Sequence, residues 1–276
     1  MTVRNLKACE PPPAEIIVHV DGNQTACASA VRAAFPTARV ILSQPNIGPG
    51  GGRNKLIAAA ASPIVASFDD DSYPLDRDYF ERLALLFDHF PEATVIAARI
   101  YHINEAVQEP EAAAEWVADF PGGACAYRRE AFVQTGGYVP LPMAYGVEEV
   151  DLALRLREFR GRVLQTSWLR VLHDTDRVRH SDPRVTAASV ANLALLTYLR
   201  YPVTLWAIGF GQCLNRIRWL LRNGRWQGIV GGIVSIPSHV LKYHAYRKPV
   251  STKAVLGYLH LRKHALRVTW KQERVP

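Results

Sequence analysis

Apolar and polar positions follow two alternating periods along the first two thirds of the chain. The runs EIIVHV (15–20), ARVILSQ (38–44), PIVASF (63–68) and TVIAARIYHI (94–103) are short, largely apolar and flanked by Asp, Gly, Asn or Pro, so they read as strands. Between them lie helical patterns: residues 25–35, the Ala-rich KLIAAAAS, and PLDRDYFERLALLFDHF with Leu83, Leu86 and Phe90 on one face. The Gly-rich NIGPGGGRN (46–54) reads as a turn and the polar stretch 104–120 as a mobile loop. Further on come GGACAYRREAFVQTGGY, a strand and short helix closed by Gly136 and Gly137, then a helix in AYGVEEVDLALRLREFRG and a strand in RVLQTSWLRVLHD. Strands alternating with helices specify an α/β fold with a doubly wound sheet.

From about residue 190 the texture changes. YPVTLWAIGFGQCLN and WQGIVGGIVSIPSHVL carry no charge, yet each is shorter than the ~18–20 residues that span a bilayer. Both are flanked by Arg, Lys and Trp, a pattern that suits helices lying in a membrane interface. Charge divides at the same place. Residues 1–182 hold 18 Lys/Arg against 24 Asp/Glu, whereas residues 183–276 hold 15 against the single acid Glu273. Two units with separate jobs follow, one over 1–182 and a helical, basic, membrane-interface segment over 183–276. The four cysteines lack CxxC spacing, which argues against zinc and disulfides and fits a reducing compartment. MTVRNLKACEPPP has no apolar core of a signal peptide, so a cytoplasmic protein is expected.

The chemistry begins with Asp69, Asp70 and Asp71, directly after an apolar strand. Neighbouring carboxylates repel by about 1 kcal/mol per pair in water and by roughly 4 kcal/mol near a protein surface. A Mg²⁺ or Mn²⁺ ion carried by a diphosphate needs only one or two protein carboxylates, and residues i and i+2 of a strand end share a side. Capping of the coming helix is the plainer use for Asp70 or Asp71, but a cap does not need three acids. Asp21 also falls at a strand's carboxyl end, where ligands of doubly wound sheets sit. Glu148, Glu149 and Asp151 cluster at a helix start, as acids serving the helix dipole or as a base facing a cleft; Asp151 also stands at i+4 spacing from Arg155. His173 ends a strand. The glycines 48–52 lack P-loop and GxGxxG spacing, but they and Arg53 lead into a helix whose amides can face phosphate.

Taken in order, EIIVHVDGN, NIGPGGGRN, IVASFDDD, GGACAYRREAFVQTGGY, YGVEEVDLALRLREFRG and the terminal VLH resemble the family 2 glycosyltransferases of the GT-A fold. The resemblance spans roughly residues 10 to 175. It implies a GT-A-type doubly wound mixed sheet flanked by helices, with the basic helical segment as a C-terminal extension. It also implies inverting transfer from a nucleotide-diphosphate sugar, UDP or dTDP, to an acceptor hydroxyl, with Mn²⁺ or Mg²⁺ as cofactor. On this reading Asp21, Arg53, Asp69, Asp70 and Gly123 bind the donor, Asp71, Asp69 and His173 hold the metal, and Glu149 is the general base beside Glu148. The family's usual Asp base is replaced here by Glu. Its first strand and TYNR-like loop have no counterpart in the sequence, which opens inside the helix that would follow them. Either the start lies upstream or the donor pocket has lost a wall.

Relatives that build bacterial surface polysaccharide or glycolipid use saccharide or lipid-linked acceptors at the inner membrane face, which gives the basic segment an anionic membrane surface as partner. An apolar, Trp-containing texture favours lipid over nucleic acid; an oligomer interface is the ordinary alternative. Two rival functions are a sugar nucleotidyltransferase, whose N-terminal Gly-rich loop with Arg and Lys is missing, and a non-catalytic nucleotide-binding relic.

Overall fold

The computed structural model describes residues 1–143, 147–174 and 182–270. Helix α1 (Thr2–Lys7) and a Pro-rich turn lead to β1 (Ile17–Val20), α2 (Thr25–Ala34), β2 (Arg39–Leu42), α3 (Gly48–Ala59) and β3 (Ile64–Phe68). β1 and β2 pair in parallel as a sheet of their own. The main sheet has the order β3-β7-β5-β8-β6-β9, built from β5 (Ala93–His102), β6 (Ala113–Val117), β7 (Ala124–Arg128), β8 (Arg162–His173) and β9 (Leu266–Thr269). β5 and β8 are parallel and the other neighbours antiparallel; the short β4 (Ser72–Pro74) adds to β8. The expected α/β class with a mixed, helix-flanked sheet is what forms.

Helices cover both faces of the main sheet. On one face, Leu83, Leu86, Phe87 and Phe90 of α4 (Tyr79–His89) and the residue after it pack with Trp116 and Trp168. On the other, Phe132 of α5 (Arg129–Thr135) and Leu152 and Leu156 of α6 (Glu148–Glu158) pack with Tyr127, Tyr138 and Ile57. Each helix puts its apolar stripe where the alternating strand pattern leaves an apolar face.

Three segments depart from the sequence reading. The glycines of NIGPGGGRN are not a turn but the opening turns of α3, and packing explains it. A Cβ on Gly50 would lie 2.9 Å from Cβ of Tyr138, and one on Gly52 2.5 Å from Nδ1 of His19. Low helix propensity yields to this close approach. The stretch 104–120 contains β6, in which Ala114 and Trp116 are buried in the core and Glu115 between them is not. The basic C-terminal segment is helical as expected in α7 (Pro183–Arg200), α8 (Trp206–Arg222), α9 (Ile229–Tyr243) and α10 (Thr252–Lys263), but it also supplies β9 to the sheet edge. Leu196 of α7 and Val255 and Tyr258 of α10 share a buried cluster with Ala118 and Leu154, so this segment is packed into the part of the chain that precedes it. Asp151 joins the two. It is buried with Arg155 and with Arg200 of α7, whose guanidinium also donates to the carbonyls of Tyr246 (2.9 Å) and Lys248 (3.2 Å).

Candidate active site

The carboxyl ends of β3 and β8 meet where β4 pairs antiparallel with β8, setting Ser72 opposite His173. That pairing brings Oδ1 of Asp71 to 3.2 Å from Nε2 of His173, and the Asp174 amide donates to the Asp71 carbonyl at 2.7 Å. Asp69, Asp71 and His173 each offer a ligand atom within 4.8 Å of the others. Two carboxylates and an imidazole on a half-exposed ledge are a donor set that fits Mn²⁺ or Mg²⁺ with positions left for phosphate oxygens.

Ser72 holds the turn. Its Oγ accepts from the Asp69 amide (2.7 Å) and donates to the Gly123 carbonyl (2.7 Å). Two glycines leave room for the acids. A Cβ on Gly123 would fall 2.2 Å from Oδ2 of Asp69, and one on Gly122 2.5 Å from Oε1 of Glu149.

Arg53, from α3, connects the ledge to the helix start of α6. Its Nη2 binds Oδ1 of Asp69 at 2.6 Å and its Nη1 binds Oε1 of Glu148 at 3.0 Å. Burial works against its charge, but Asp69 and the other groups around it outweigh that and raise its pKa. Arg53 is only 7% exposed and held by two carboxylates, so it orders the acids, and it also lines a cavity together with Asp69 and Asp70.

Glu148 and Glu149 form a coupled pair. Burial, and then the Glu149 carboxylate, push Glu148 up to about 8 against the pull of Arg53. Burial also raises Glu149, while Arg53 and the hydrogen bond with Glu148 act the other way. Both carboxyls are thus held above the ordinary carboxylate range, and the pair titrates as one unit. Asp151 lies apart from this site in its arginine cluster. Tyr145 and Gly146 of the same motif lie outside the described residues.

Asp21 sits elsewhere than the metal ledge. It caps α3, accepting from the amides of Ile47 (3.1 Å) and Gly48 (2.9 Å). With Arg53, Asp69 and the exposed Asp70 it lines one cavity. The sequence reading missed His102, which pairs in register with His173 on the parallel β5 and β8, the rings 5.5 Å apart. The signal was there in two strands that both end in His. It also missed the buried hydroxyl pair of Tyr127 and Tyr138, 2.8 Å apart behind the acids.

Residues 2–138 match the sequence profile of Glycosyl transferase family 2. The chain belongs to that family. The matched residues carry Asp21, Arg53, the Asp run and Gly123 of the transferase domain; the Glu pair and His173 lie beyond them and join the site by geometry. No curated protein sequence matches the chain.

Solved structures share its fold. GalNAc-T7, crystallised with UDP, GalNAc and Mn²⁺, superposes with a TM-score of 0.57 at 12% identity over 73% of this chain; the chain spans only 45% of that protein. TarS of S. aureus, in complex with UDP-GlcNAc, gives 0.55 at 13% identity, covering 95% of this chain and 86% of that one. The mannosyltransferase PcManGT of Pyrobaculum calidifontis, with GDP-Man and Mn²⁺, gives 0.54 at 12%, covering 94% and 74%. The family 2 domain thus has the GT-A architecture, with an Asp-x-Asp ledge at the carboxyl end of β3.

Proposed function

We propose that this protein transfers a glycosyl group, with inversion, from a nucleotide-diphosphate sugar to an acceptor hydroxyl. One observation carries the reading: Arg53 ties Asp69 of the metal-ligating group to Glu148 of the acid pair, so donor end and base end form one connected site. Asp69, Asp71 and His173 would hold Mn²⁺ or Mg²⁺, which supplies positive charge against the diphosphate. Glu149 accepts the proton of the acceptor hydroxyl as its oxygen bonds to the anomeric carbon and the bond to the diphosphate breaks. Glu148 keeps its own proton and holds Glu149 in place. Arg53 positions the carboxylates. Asp21, Asp70 and Gly123 remain candidates for the base, ribose and phosphate end of the donor.

UDP or dTDP is the nucleotide we favour, and a saccharide or lipid-linked precursor of a cell-surface polysaccharide or glycolipid the acceptor. A panel of UDP-, dTDP- and GDP-sugars, assayed for hydrolysis with and without Mn²⁺, tests the reading. Metal-dependent turnover of at least one supports it. No binding and no turnover of any would sink it.

The reading includes peripheral attachment to an anionic membrane surface. Phe210, Leu214 and Leu221 of α8, and Val230, Val234 and Leu241 of α9, are each more than half exposed. On both helices the second and third residues stand four and eleven positions after the first, so each set falls on one face within about 40°. Arg218, Arg222 and Lys242 are exposed on the same helices, and the segment's single acid lies after α10. Among the described residues no helix is long and apolar enough to cross a membrane.

A further inference from the structure

Arg247 follows α9, and its guanidinium rests on two aromatic rings. Its Cζ stands 4.6 Å from the ring centroid of Tyr198, on α7, and 5.5 Å from that of Trp206, which opens α8. The two rings are 6.4 Å apart. The backbone that carries Arg247 is fixed from the core side. Arg200 donates to the carbonyls on either side of it, Tyr246 and Lys248, and the Lys248 amide donates to the Leu199 carbonyl at 3.1 Å. Stacking and backbone together hold the guanidinium in one place.

That guanidinium has no counter-ion. Arg53 is matched by Asp69 and Glu148, and Arg155 and Arg200 share Asp151. The side chain of Arg247 makes no hydrogen bond or ion pair among the described residues, and its Nη1 is fully covered without a partner. The segment around it cannot supply one, since Glu273 is the only acid among residues 183–276. A guanidinium is weakly hydrated, stacks on aromatic faces and offers a planar fork of donors that matches a phosphate. Lys242 and Lys248, both exposed, add positive charge on either side in sequence.

The surroundings select among phosphates. Trp206 stands one turn before Phe210, so its ring lies at the amino end of the exposed apolar stripe of α8. Val203, just before it, is also exposed. A soluble phosphate, or the backbone of a nucleic acid, would leave these apolar side chains in water. A phospholipid answers both features, with its phosphate level with a Trp at the interface and its chains below. We infer that Arg247, seated on Tyr198 and Trp206, binds the phosphate group of a membrane phospholipid whose acyl chains take the exposed stripe of α8. The inference rests on the proposed membrane attachment and adds to it a defined headgroup site, where diffuse charge alone would read only the surface potential.

The test uses the full chain and vesicles of digalactosyldiacylglycerol, a host lipid without phosphate. They are doped with phosphatidic acid or with oleic acid to equal surface charge, and partitioning is read by sedimentation. The parent should prefer the phosphatidic acid vesicles about tenfold, or about 1.4 kcal/mol. Arg247→Lys keeps the charge and loses the fork, so it should bring the two to within about twofold without weakening the oleic acid arm. Arg222→Met, which removes an exposed charge of α8, should weaken both arms alike and keep the preference. Equal binding of the parent to both vesicles overturns the site and leaves the membrane attachment standing. So does a preference that survives in Arg247→Lys. Loss of the preference in about 10 mM inorganic phosphate at constant ionic strength would assign the fork to a free anion and also overturn it. A parent that binds neither vesicle overturns the attachment itself, and the site with it.

Discussion

Arg53 Nη1 stands 3.0 Å from Oε1 of Glu148, although the two residues are 95 positions apart. The contact joins the helix after β2 to the helix that opens with the acid pair, and Asp69 completes it from the strand between. An uncompensated acid buried at Glu148 would cost several kcal/mol. With Arg53 beside it, Glu148 can stay inside and present Glu149 to the cleft.

Glu149→Gln should therefore lower sugar transfer by about 10²–10⁴ while leaving Mn²⁺-dependent UDP binding near that of the parent. Glu148→Gln, which mimics the protonated acid, should retain most of the activity near neutral pH. Initial rates and calorimetry on the two variants decide the matter. A dead Glu148→Gln beside an active Glu149→Gln would reverse the roles.

The raised Glu148 has a signature in stability. The folded protein keeps this proton up to about 8, whereas an unfolded chain releases it near the ordinary ~4.3. Stability from the group is fully present below the unfolded value and is lost as pH rises through the folded one. In Glu148→Gln that loss disappears. Thermal melts of parent and variant should differ least at about pH 5 and most at about pH 8, with the variant gaining relative to the parent as pH rises. A constant difference across that window would show that Glu148 does not hold the proton.

Asp71 and His173 meet only because three residues of β4 pair with the end of β8. Asp71→Ala should remove the metal-dependent part of the UDP binding heat, and His173→Ala should weaken it. Chelation of the parent with EDTA should reproduce the Asp71→Ala titration. Metal-independent UDP binding that is unchanged in Asp71→Ala would exclude this ledge as the cation site.

Much of this site was legible because strand ends and helix starts can be read from local pattern. The apolar run before Asp69–Asp71 announced a strand, and the helical spacing of Leu152 and Leu156 fixed where Glu148 and Glu149 begin. Pairings between distant segments were not legible. The glycines of α3 read as a turn because their helix is imposed by Tyr138 and His19, which lie far off in sequence or on another element. The pairing of Arg53 with Glu148 was not legible, because nothing local places the two side by side. Asp151 read as a helix-start acid with Arg155 at i+4, and that pair formed; Arg200, 49 residues on, could not have been anticipated.

Asp151 lies between two buried guanidinium groups and is their shared counter-ion. Asp151→Ala leaves both uncompensated and should cost about 3–5 kcal/mol of stability, read as a lower denaturation midpoint. The loss should extend to the C-terminal helices, because Arg200 anchors α7 and the carbonyls of Tyr246 and Lys248. Arg200→Met, which removes one cation and keeps an apolar stem, should cost less. Equal stability of Asp151→Ala and parent would mean that the cluster does not hold the two halves together.

The exposed stripes of α8 and α9 predict how the protein meets lipid. Basic residues close to an anionic surface each gain about 1 kcal/mol, and that attraction is screened beyond about 8 Å at physiological ionic strength. Apolar insertion of Phe210, Val230 and Val234 is not screened in this way. The protein should sediment with anionic phosphatidylserine vesicles, be partly released by salt at about 1 M, and bind little to neutral phosphatidylcholine. The double variant Phe210→Asp, Val234→Asp should lose vesicle binding and keep its melting temperature, since both side chains point to solvent in the fold. Full resistance to salt and carbonate would overturn peripheral attachment. Equal indifference to both vesicle types, with a concentration-dependent mass by light scattering that the double variant abolishes, would instead assign this face to a second copy of the chain.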